Sequence, residues 1–157
     1  SSVDNITTPY KLLSGVTYIS SGEHELVMVT ESGNLYYAGW RSIQGFGQGT
    51  GTAGAAQLTI SGVEKASIHF GNMVIMTESG AMYVYGINTG NAIGSNVTGG
   101  TPARAVSSGV ADVAAGYDFI AYMLSDGSIK ITGSNQYGQA GNGTTSEYVS
   151  AATVTIR

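Results

Sequence analysis

The sequence contains no cysteine, and only two prolines and two histidines occur among its 157 residues. Without cysteine the chain has no disulfide, no thiol nucleophile and no cysteine-based zinc site. Charged residues are also scarce, at 10 % against about 25 % in an average soluble domain. The sequence has six lysines and arginines and ten acidic residues, which gives a net charge of −4. We therefore expect no binding of nucleic acid, because there is no basic stripe to neutralise phosphates.

Long apolar runs are missing as well. The longest, Phe119 to Leu124, is far shorter than the ~20 residues that a membrane helix needs. Residues 1–5 have neither the basic nor the apolar segment of a signal peptide. We expect no membrane insertion and no signal peptide in this chain.

Glycine, in contrast, is abundant, and its 24 positions are not random. Gly15, Gly62 and Gly109 stand 47 residues apart, and a valine follows each of them. Three further sets keep the same spacing: Gly33, Gly80 and Gly127; Gly39, Gly86 and Gly133; Gly47, Gly94 and Gly141. Four positions in register over three units, without insertion or deletion, establish an internal repeat.

Each unit shows the pattern of short strands separated by turns. Gly33, Gly80 and Gly127 each end a short polar stretch between two apolar runs, which indicates a tight hairpin. The run before the hairpin, such as Met73 to Met76, is apolar on both faces, as in a strand covered on both sides. Four-stranded units of this length are typical of β-propeller blades, and a β-solenoid with shorter coils is the alternative. We predict an all-β, propeller-like array of three four-stranded blades, which is a partial propeller.

We place the repeat units at residues 15–61, 62–108 and 109–157 of a single domain that spans residues 1–157. Residues 8–15 are similar to residues 101–109, where a unit closes. Residues 1–14 therefore look like the closing strand of a preceding unit. Residues 148–156 supply the same strand at the end of the third unit.

A longer motif occurs in the third unit, Gly133-Ser134-Asn135-Gln136-Tyr137-Gly138-Gln139-Ala140-Gly141-Asn142-Gly143. It resembles the repeat of the regulator of chromosome condensation family, which runs roughly W-G-x-N-x-x-G-Q-L-G-x-G. Ala140 replaces the leucine of that pattern and Thr132 the aromatic residue. The resemblance implies a seven-bladed ring, of which three units would form about three sevenths.

A wedge of three blades would leave two apolar blade faces open, a patch that soluble monomers avoid. Association with a second copy, docking on other proteins, or excision from a longer array would each account for this. We favour assembly with protein partners, either copies of this chain or other components. Two copies would supply six blades, within the range of about four to eight that propellers use.

No catalytic constellation emerges from the sequence. His24 and His69 occupy different positions of the repeat, and neither lies in an HExxH motif. Residues 49–54 match G-x-G-x-x-G, but they fall in a turn between strands rather than between a strand and a helix. We predict that the chain is not an enzyme and holds no cofactor and no metal.

The candidate partner-binding residues lie in turns that vary between the units. Four of them fall in the long turn after the third glycine: Trp40, Arg41, Phe46 and Tyr137. Six fall in the first turn of a unit: Glu23, His24, Phe70, Asn72, Tyr117 and Asp118. Variable loops on a fixed scaffold suit recognition, and Trp, Tyr and Arg are enriched at binding hot spots. For Trp40, packing against a neighbouring blade is the alternative.

We predict a non-enzymatic protein-interaction module that works within a larger assembly. The low charge and the abundance of Ser, Thr and Gly favour a viral or phage virion component, such as a decoration, fibre or receptor-contact protein, on a virion or extracellular surface. The resemblance implies two alternatives. One is a secreted or surface inhibitor or sensor, as in the similar β-lactamase inhibitory protein. The other is a fragment of a guanine-nucleotide exchange factor, which we disfavour because uniform 47-residue units leave no room for its protruding β-wedge.

Overall fold

The computed structural model describes residues 11–39, 56–95, 97 and 101–154. Within these residues the chain forms three four-stranded sheets, in which strands that follow one another in sequence pair antiparallel. The predicted all-β fold with three four-stranded blades is confirmed. One short 3-10 turn, Thr89–Asn91, is the helical element of the described residues.

The strands follow the repeat. Those of the first blade are β1 (Val16–Ser21), β2 (Glu25–Thr30), β3 (Leu35–Gly39) and β4 (Ala56–Gln57). Those of the second blade are β5 (Val63–His69), β6 (Asn72–Thr77), β7 (Met82–Gly86) and β8 (Ala103–Val106). Those of the third blade are β9 (Val110–Ala115), β10 (Phe119–Leu124), β11 (Ile129–Ser134) and β12 (Tyr148–Thr153).

The closing strand predicted at residues 1–14 is not among these twelve. Residues 1–10 lie outside the described residues, and residues 11–14 belong to no strand. That strand therefore stays a prediction.

The hairpin between the second and third strands is built the same way in the first two blades. Gly33 and Gly80 have φ of +69° and +73°, and each donates its amide to the carbonyl of the threonine three residues earlier, at 2.8 Å. The hydroxyl of that threonine, Thr30 or Thr77, accepts the amide four residues on, at 3.3 and 3.2 Å. The repeated Thr-Glu-Ser-Gly sequence thus closes a tight turn with its own side chain and a left-handed glycine.

The blades pack face to face, and the middle blade is covered on both sides. All six residues of β6 are buried. Met73 and Ile75 join the core shared with the first blade, whereas Val74 and Met76 join the core shared with the third. The apolar character of both faces of this strand therefore reflects two interfaces, as predicted.

Neighbouring blades contact each other, backbone to backbone, at the hairpins that join the second and third strands of each blade. We call this end of the blades the hairpin end. Val63 donates its amide to the Gly33 carbonyl at 3.0 Å, and Val110 donates to Gly80 at 2.9 Å. A Cβ atom on Gly33 would lie 3.0 Å from the Cα and N atoms of Gly62. Glycine at position 33 is therefore needed for the close approach as well as for its positive φ.

Substitutions at Gly33 and Gly62 separate the effect of a positive φ from the effect of the close backbone approach. Gly33→Ala and Gly62→Ala should each lose about 1 kcal/mol of unfolding free energy, because both residues have left-handed φ. Gly33→Ala should lose more, since its Cβ meets backbone, whereas a Cβ on Gly62 meets nothing within 4 Å. Urea unfolding of both variants measures the difference. Equal losses would show that the close approach contributes nothing.

A phenol and a carboxylate are buried in the first blade. Tyr37 on β3 belongs to the core between the first and second blades, and Glu25 on β2 is 8 % exposed. Burial, and to a lesser extent the negative charge of Glu25, raise the pKa of Tyr37 from 10.0 to about 12.

This shift makes the fold sensitive to alkaline pH. Between pH 10 and about 12 the folded chain retains the Tyr37 proton that the unfolded chain has lost, so unfolding free energy falls as pH rises through this window. Tyr37→Phe should reduce that slope, measured by denaturant unfolding at a series of pH values. Tyr137→Phe, which removes an exposed phenol, is the matched control. An unchanged slope in Tyr37→Phe would contradict the assignment.

Candidate functional site

The strand order brings the variable turns to one end of the wedge. In each blade the turn after the first strand lies opposite the hairpin that joins the second and third strands. In the second and third blades the loop after the third strand lies at that same opposite end. Because the hairpin ends of adjacent blades touch, the opposite ends also lie side by side. We call this surface the loop end; its described residues are 22–24, 70–71, 87–95, 97, 116–118 and 135–147.

The loop end contains six of the ten candidate residues: Glu23, His24, Phe70, Tyr117, Asp118 and Tyr137. Residues that are up to 114 positions apart in the sequence thus lie on one surface. Trp40, Arg41 and Phe46 lie outside the described residues.

Asn72 departs from the prediction of an exposed turn residue. It is the first residue of β6, and its side chain is fully buried because the turn before it contains only Phe70 and Gly71. Its Nδ2 donates to the carbonyl of Thr89 at 2.9 Å. Asn72 therefore supports the loop end from beneath and offers no side-chain contact to a partner.

Two aromatic rings from adjacent blades stack on the loop end. The ring centroids of Phe70 and Tyr117 are 4.4 Å apart with an interplanar angle of 25°. His69 meets Tyr117 edge-on at 6.0 Å. Phe70 has φ of +40°, a left-handed conformation that is unfavourable for a bulky residue. The turn thus holds an aromatic ring where Asn or Gly would fit the backbone better.

The loop of the second blade lies directly on the first turn of the third blade. Within the second blade, Thr89 Oγ1 donates to the Phe70 carbonyl at 3.1 Å and ties this loop to the blade's own first turn. A Cβ atom on Gly90 would collide with the backbone and Cβ of Asp118. The absence of a side chain at Gly90 therefore lets the two blades form a continuous surface.

A buried asparagine fixes the loop that carries Tyr137. Asn135 Oδ1 accepts the amide of Ala140 at 2.8 Å, and its Nδ2 donates to the Thr144 carbonyl at 3.0 Å. Asn88, 47 residues earlier, accepts the amide of Ile93 in the same way at 3.0 Å. The Tyr137 side chain is 88 % exposed, yet it stands on a turn that is held from inside.

Three acidic side chains share the loop end with these aromatic residues. Glu23, Asp118 and Glu147 lie on the loop end, and His24 is 3.9 Å from Glu23. A hydrogen bond with Glu147 and the charge of that carboxylate raise the pKa of Tyr148, the first residue of β12. The described part of the loop end contains no lysine or arginine. It is thus an acidic surface with exposed aromatic rings.

Sequence reasoning missed Asn135 and Glu147 as parts of this surface, and Tyr148 as the strand residue next to it. For Asn135 a signal existed, because Asn88 and Asn135 occupy the same position of the repeat. Tyr148 and Glu147 carry no comparable pattern, since the first two units have Ala and Gly at the position of Glu147 and Gly and Thr at that of Tyr148.

The described residues contain no group of three or more His, Cys, Asp or Glu side chains that could hold a metal ion. A cleft of about 500 Å³ lies near the hairpin end of the first blade, lined by Asn34 and residues 57–61. None of these lining residues is ionisable. In the part of the chain that the structure describes, no helix combines the length and apolar character needed to cross a bilayer.

Comparison with known proteins agrees with this architecture. Residues 110–139 match the model of the regulator of chromosome condensation (RCC1) repeat. No curated protein sequence matches the chain.

Solved structures with the same fold are longer than this chain. Prp20p from Saccharomyces cerevisiae, in a structure reported with its binding properties to Gsp1p and histones, superposes with a TM-score of 0.69 and 14 % identity, over 89 % of this chain and 38 % of that one. Yeast RCC1 (Prp20) bound to Kap60 gives a TM-score of 0.69 and 15 % identity, over 92 % and 38 %. Human WBSCR16 gives 0.64 and 18 %, over 78 % and 34 %. At these identities the likeness concerns the fold.

The matched segment begins at β9 and includes Asn135 of the third unit. The first and second units repeat the glycine positions of the third at a spacing of 47 residues, and the second shares its strand order and its loop asparagine. The chain is therefore a partial β-propeller whose third unit matches the regulator of chromosome condensation repeat.

Proposed function

We propose that the chain is a non-enzymatic protein-interaction module whose loop end binds a protein partner. The observation that carries this proposal is Tyr137, an aromatic side chain that is 88 % exposed on a turn pinned by a buried asparagine. A rigid exposed tyrosine offers a large contact area at little cost in conformational entropy.

The Phe70 turn supports the same proposal. Left-handed φ at a phenylalanine opposes folding, by on the order of 1 kcal/mol, and the ring remains 37 % exposed. Stability alone would favour Asn or Gly at this position. A strained aromatic beside a second exposed ring, Tyr117, is the arrangement expected of a contact surface.

Charge indicates the chemistry of the partner. Glu23, Asp118 and Glu147 give the described loop end a negative potential, and the whole chain carries −4. We propose that the partner presents an apolar or aromatic patch with lysine or arginine around it, so that association slows as salt is added.

The structural neighbours support a protein as the ligand. Prp20p is reported with binding to Gsp1p and histones, and the yeast protein also with Kap60. This chain spans 34–38 % of the neighbours' length, so we propose the class of ligand and not those particular partners.

For the setting, we propose a larger assembly on a virion or an extracellular surface. Its support is compositional: 10 % charged residues and an abundance of Ser, Thr and Gly. Co-purification of the chain with particles through a density gradient would support this setting, and its recovery only in the soluble fraction would refute it.

Truncation of the exposed rings should weaken partner binding without unfolding the chain. Tyr137→Ala and Tyr117→Ala should each cost about 1–2 kcal/mol of binding, roughly tenfold in Kd, because they remove contact area at a binding surface. Partners are captured from an extract on the immobilised wild-type chain, and each purified partner is then titrated against the variants by calorimetry.

Ile19→Ala is the matched control, because Ile19 is an exposed apolar side chain of β1 outside the loop end. It should retain wild-type affinity. If both tyrosine variants bind every captured partner as wild type does, the loop end is not the contact surface.

The buried asparagine should matter for binding although it touches no partner. Asn135→Ala leaves the Ala140 amide without its acceptor and should release residues 135–147, which lowers affinity through the lost position of Tyr137. Hydrogen exchange of this loop and the partner Kd are measured together. Thr145→Ala, at an exposed position of the same loop, is the control. A mobile loop with unchanged affinity would contradict the role of Tyr137.

A further inference from the structure

The loop of the third blade contains the single Asn-Gly pair of the sequence, Asn142-Gly143. Both residues are exposed, and a Cβ atom on Gly143 would meet nothing within 4 Å. This exposure is not a property of an outer blade. Ser95, which occupies the position of Asn142 in the middle blade, is also exposed although both faces of that blade are covered. The pair is therefore open to solvent because of its place in the repeat.

The side chain of Asn142 turns toward the residues that follow it. Its Oδ1 accepts the Thr144 amide at 3.0 Å and the Thr144 hydroxyl at 2.8 Å. An Asx turn of this kind encloses the Gly143 nitrogen in the ring that the hydrogen bond closes, beside the side-chain carbonyl. Donors aimed at an oxygen stabilise the negative charge that develops there when a nucleophile adds to its carbon. Cγ of Asn142 is thus an activated electrophile.

The neighbouring nitrogen is free to react. Among the described residues no hydrogen bond engages the Gly143 amide, and glycine places no Cβ beside it. The exposed asparagine in the loop of the second blade provides a contrast. Asn91 is followed by Ala92, which carries a Cβ and donates its amide to the Thr89 carbonyl at 3.2 Å. The nitrogen next to Asn91 is therefore engaged, and the nitrogen next to Asn142 is not.

We propose that Asn142 is a modification site at which the folded chain deamidates, with water as the co-reactant. The Gly143 amide gives its proton to hydroxide, and its nitrogen bonds to Cγ of Asn142 within the same turn. The bond between Cγ and Nδ2 breaks, and ammonia leaves with a proton taken from water. Water then opens the cyclic imide at either carbonyl carbon. Opening at Cγ leaves an ordinary aspartate at position 142, and opening at the main-chain carbon leaves an isoaspartate whose backbone runs through the former side chain.

The product changes the loop that carries Tyr137. Either opening replaces a neutral amide by a carboxylate, and an isoaspartate also inserts a carbon into the main chain directly before Gly143. The Thr144 carbonyl accepts Asn135 Nδ2 at 3.0 Å, and it lies 3.8 Å from the place of a Cβ on Gly138, the residue after Tyr137. A longer main chain here therefore pulls Thr144 away from Asn135 and loosens the turn of Tyr137. This inference does not depend on the proposed function, because the reaction needs only water.

Mass spectrometry of the aged chain tests the proposal. Wild type is kept folded in warm, mildly alkaline buffer and digested with trypsin, which releases residues 131–157 as one peptide that contains Asn135 and Asn142. Position 142 should gain the mass difference between a hydroxyl and an amino group, with isoaspartate among the products, and the rate should rise with pH. Asn135, which is fully buried, and Asn91 should remain unchanged. No conversion at position 142 in the time that the urea-unfolded chain takes to convert, or equal conversion at all three asparagines, would overturn the proposal.

Variants of the pair and of its neighbour test the chemistry. Asn142→Gln keeps an amide but moves its carbon one bond further from the Gly143 nitrogen, and the conversion should fall below detection. Thr144→Val removes the hydroxyl that donates to Oδ1 and should slow the conversion roughly fivefold, the contribution of one hydrogen bond. Thr144→Ser keeps that hydroxyl and should react as wild type does. A Thr144→Val rate at or above that of wild type would refute activation by the hydroxyl.

Hydrogen exchange measures the consequence for the loop. Residues 135–147 should exchange faster in aged wild type than in fresh wild type, because the bond between Thr144 and Asn135 is lost. Aged Asn142→Gln should exchange as the fresh variant does. Unchanged exchange in fully converted wild type would contradict the expected loosening of the Tyr137 turn.

Discussion

Neighbouring blades approach each other at their hairpin ends until backbone contacts backbone, at Gly33 against Gly62 and at Gly80 against Gly109. The Val63 and Val110 amides bond across these contacts, which fixes the distance and the direction of one blade relative to the next. The two apolar cores then fill the space between the sheets. Because all three blades point the same way, the described turns and loops opposite the hairpins meet on one surface. A side chain at Gly33 or Gly80 would therefore disturb a surface at the far end of the blades.

The framework and the loop end follow different physical rules. In the framework, glycines and threonines recur at fixed positions and satisfy their own hydrogen bonds. On the loop end, residues at equivalent positions differ, and one of them, Phe70, has a backbone conformation that its side chain disfavours. Asn88 and Asn135 connect the two regions, since they are repeated residues that hold variable loops. The loops of the second and third blades can therefore differ in sequence while the same asparagine hydrogen bond anchors each of them.

Glycine spacing predicted the units, the hairpins and the three sheets because each hairpin needs φ above zero at the same place. Exposure could not be predicted, since Met76 and Met123 share a repeat position and only the neighbouring blade distinguishes them. The sequence interpretation places Asn72 in a turn because its position varies between the units, whereas the turn is two residues long and contains a left-handed phenylalanine. Gly90 lies against Asp118 of the neighbouring blade, and the local sequence around either residue does not predict this contact.

The burial of β6 on both faces has a consequence for how the chain comes apart. The first and third blades each have one neighbour in this chain, whereas the second has two. In a linear array whose stability resides in contacts between neighbours, a terminal unit can detach by losing one interface, but the central unit must lose both. Among the described strands, the amides of β6 are therefore expected to exchange with solvent last, because β6 is released only when both cores open.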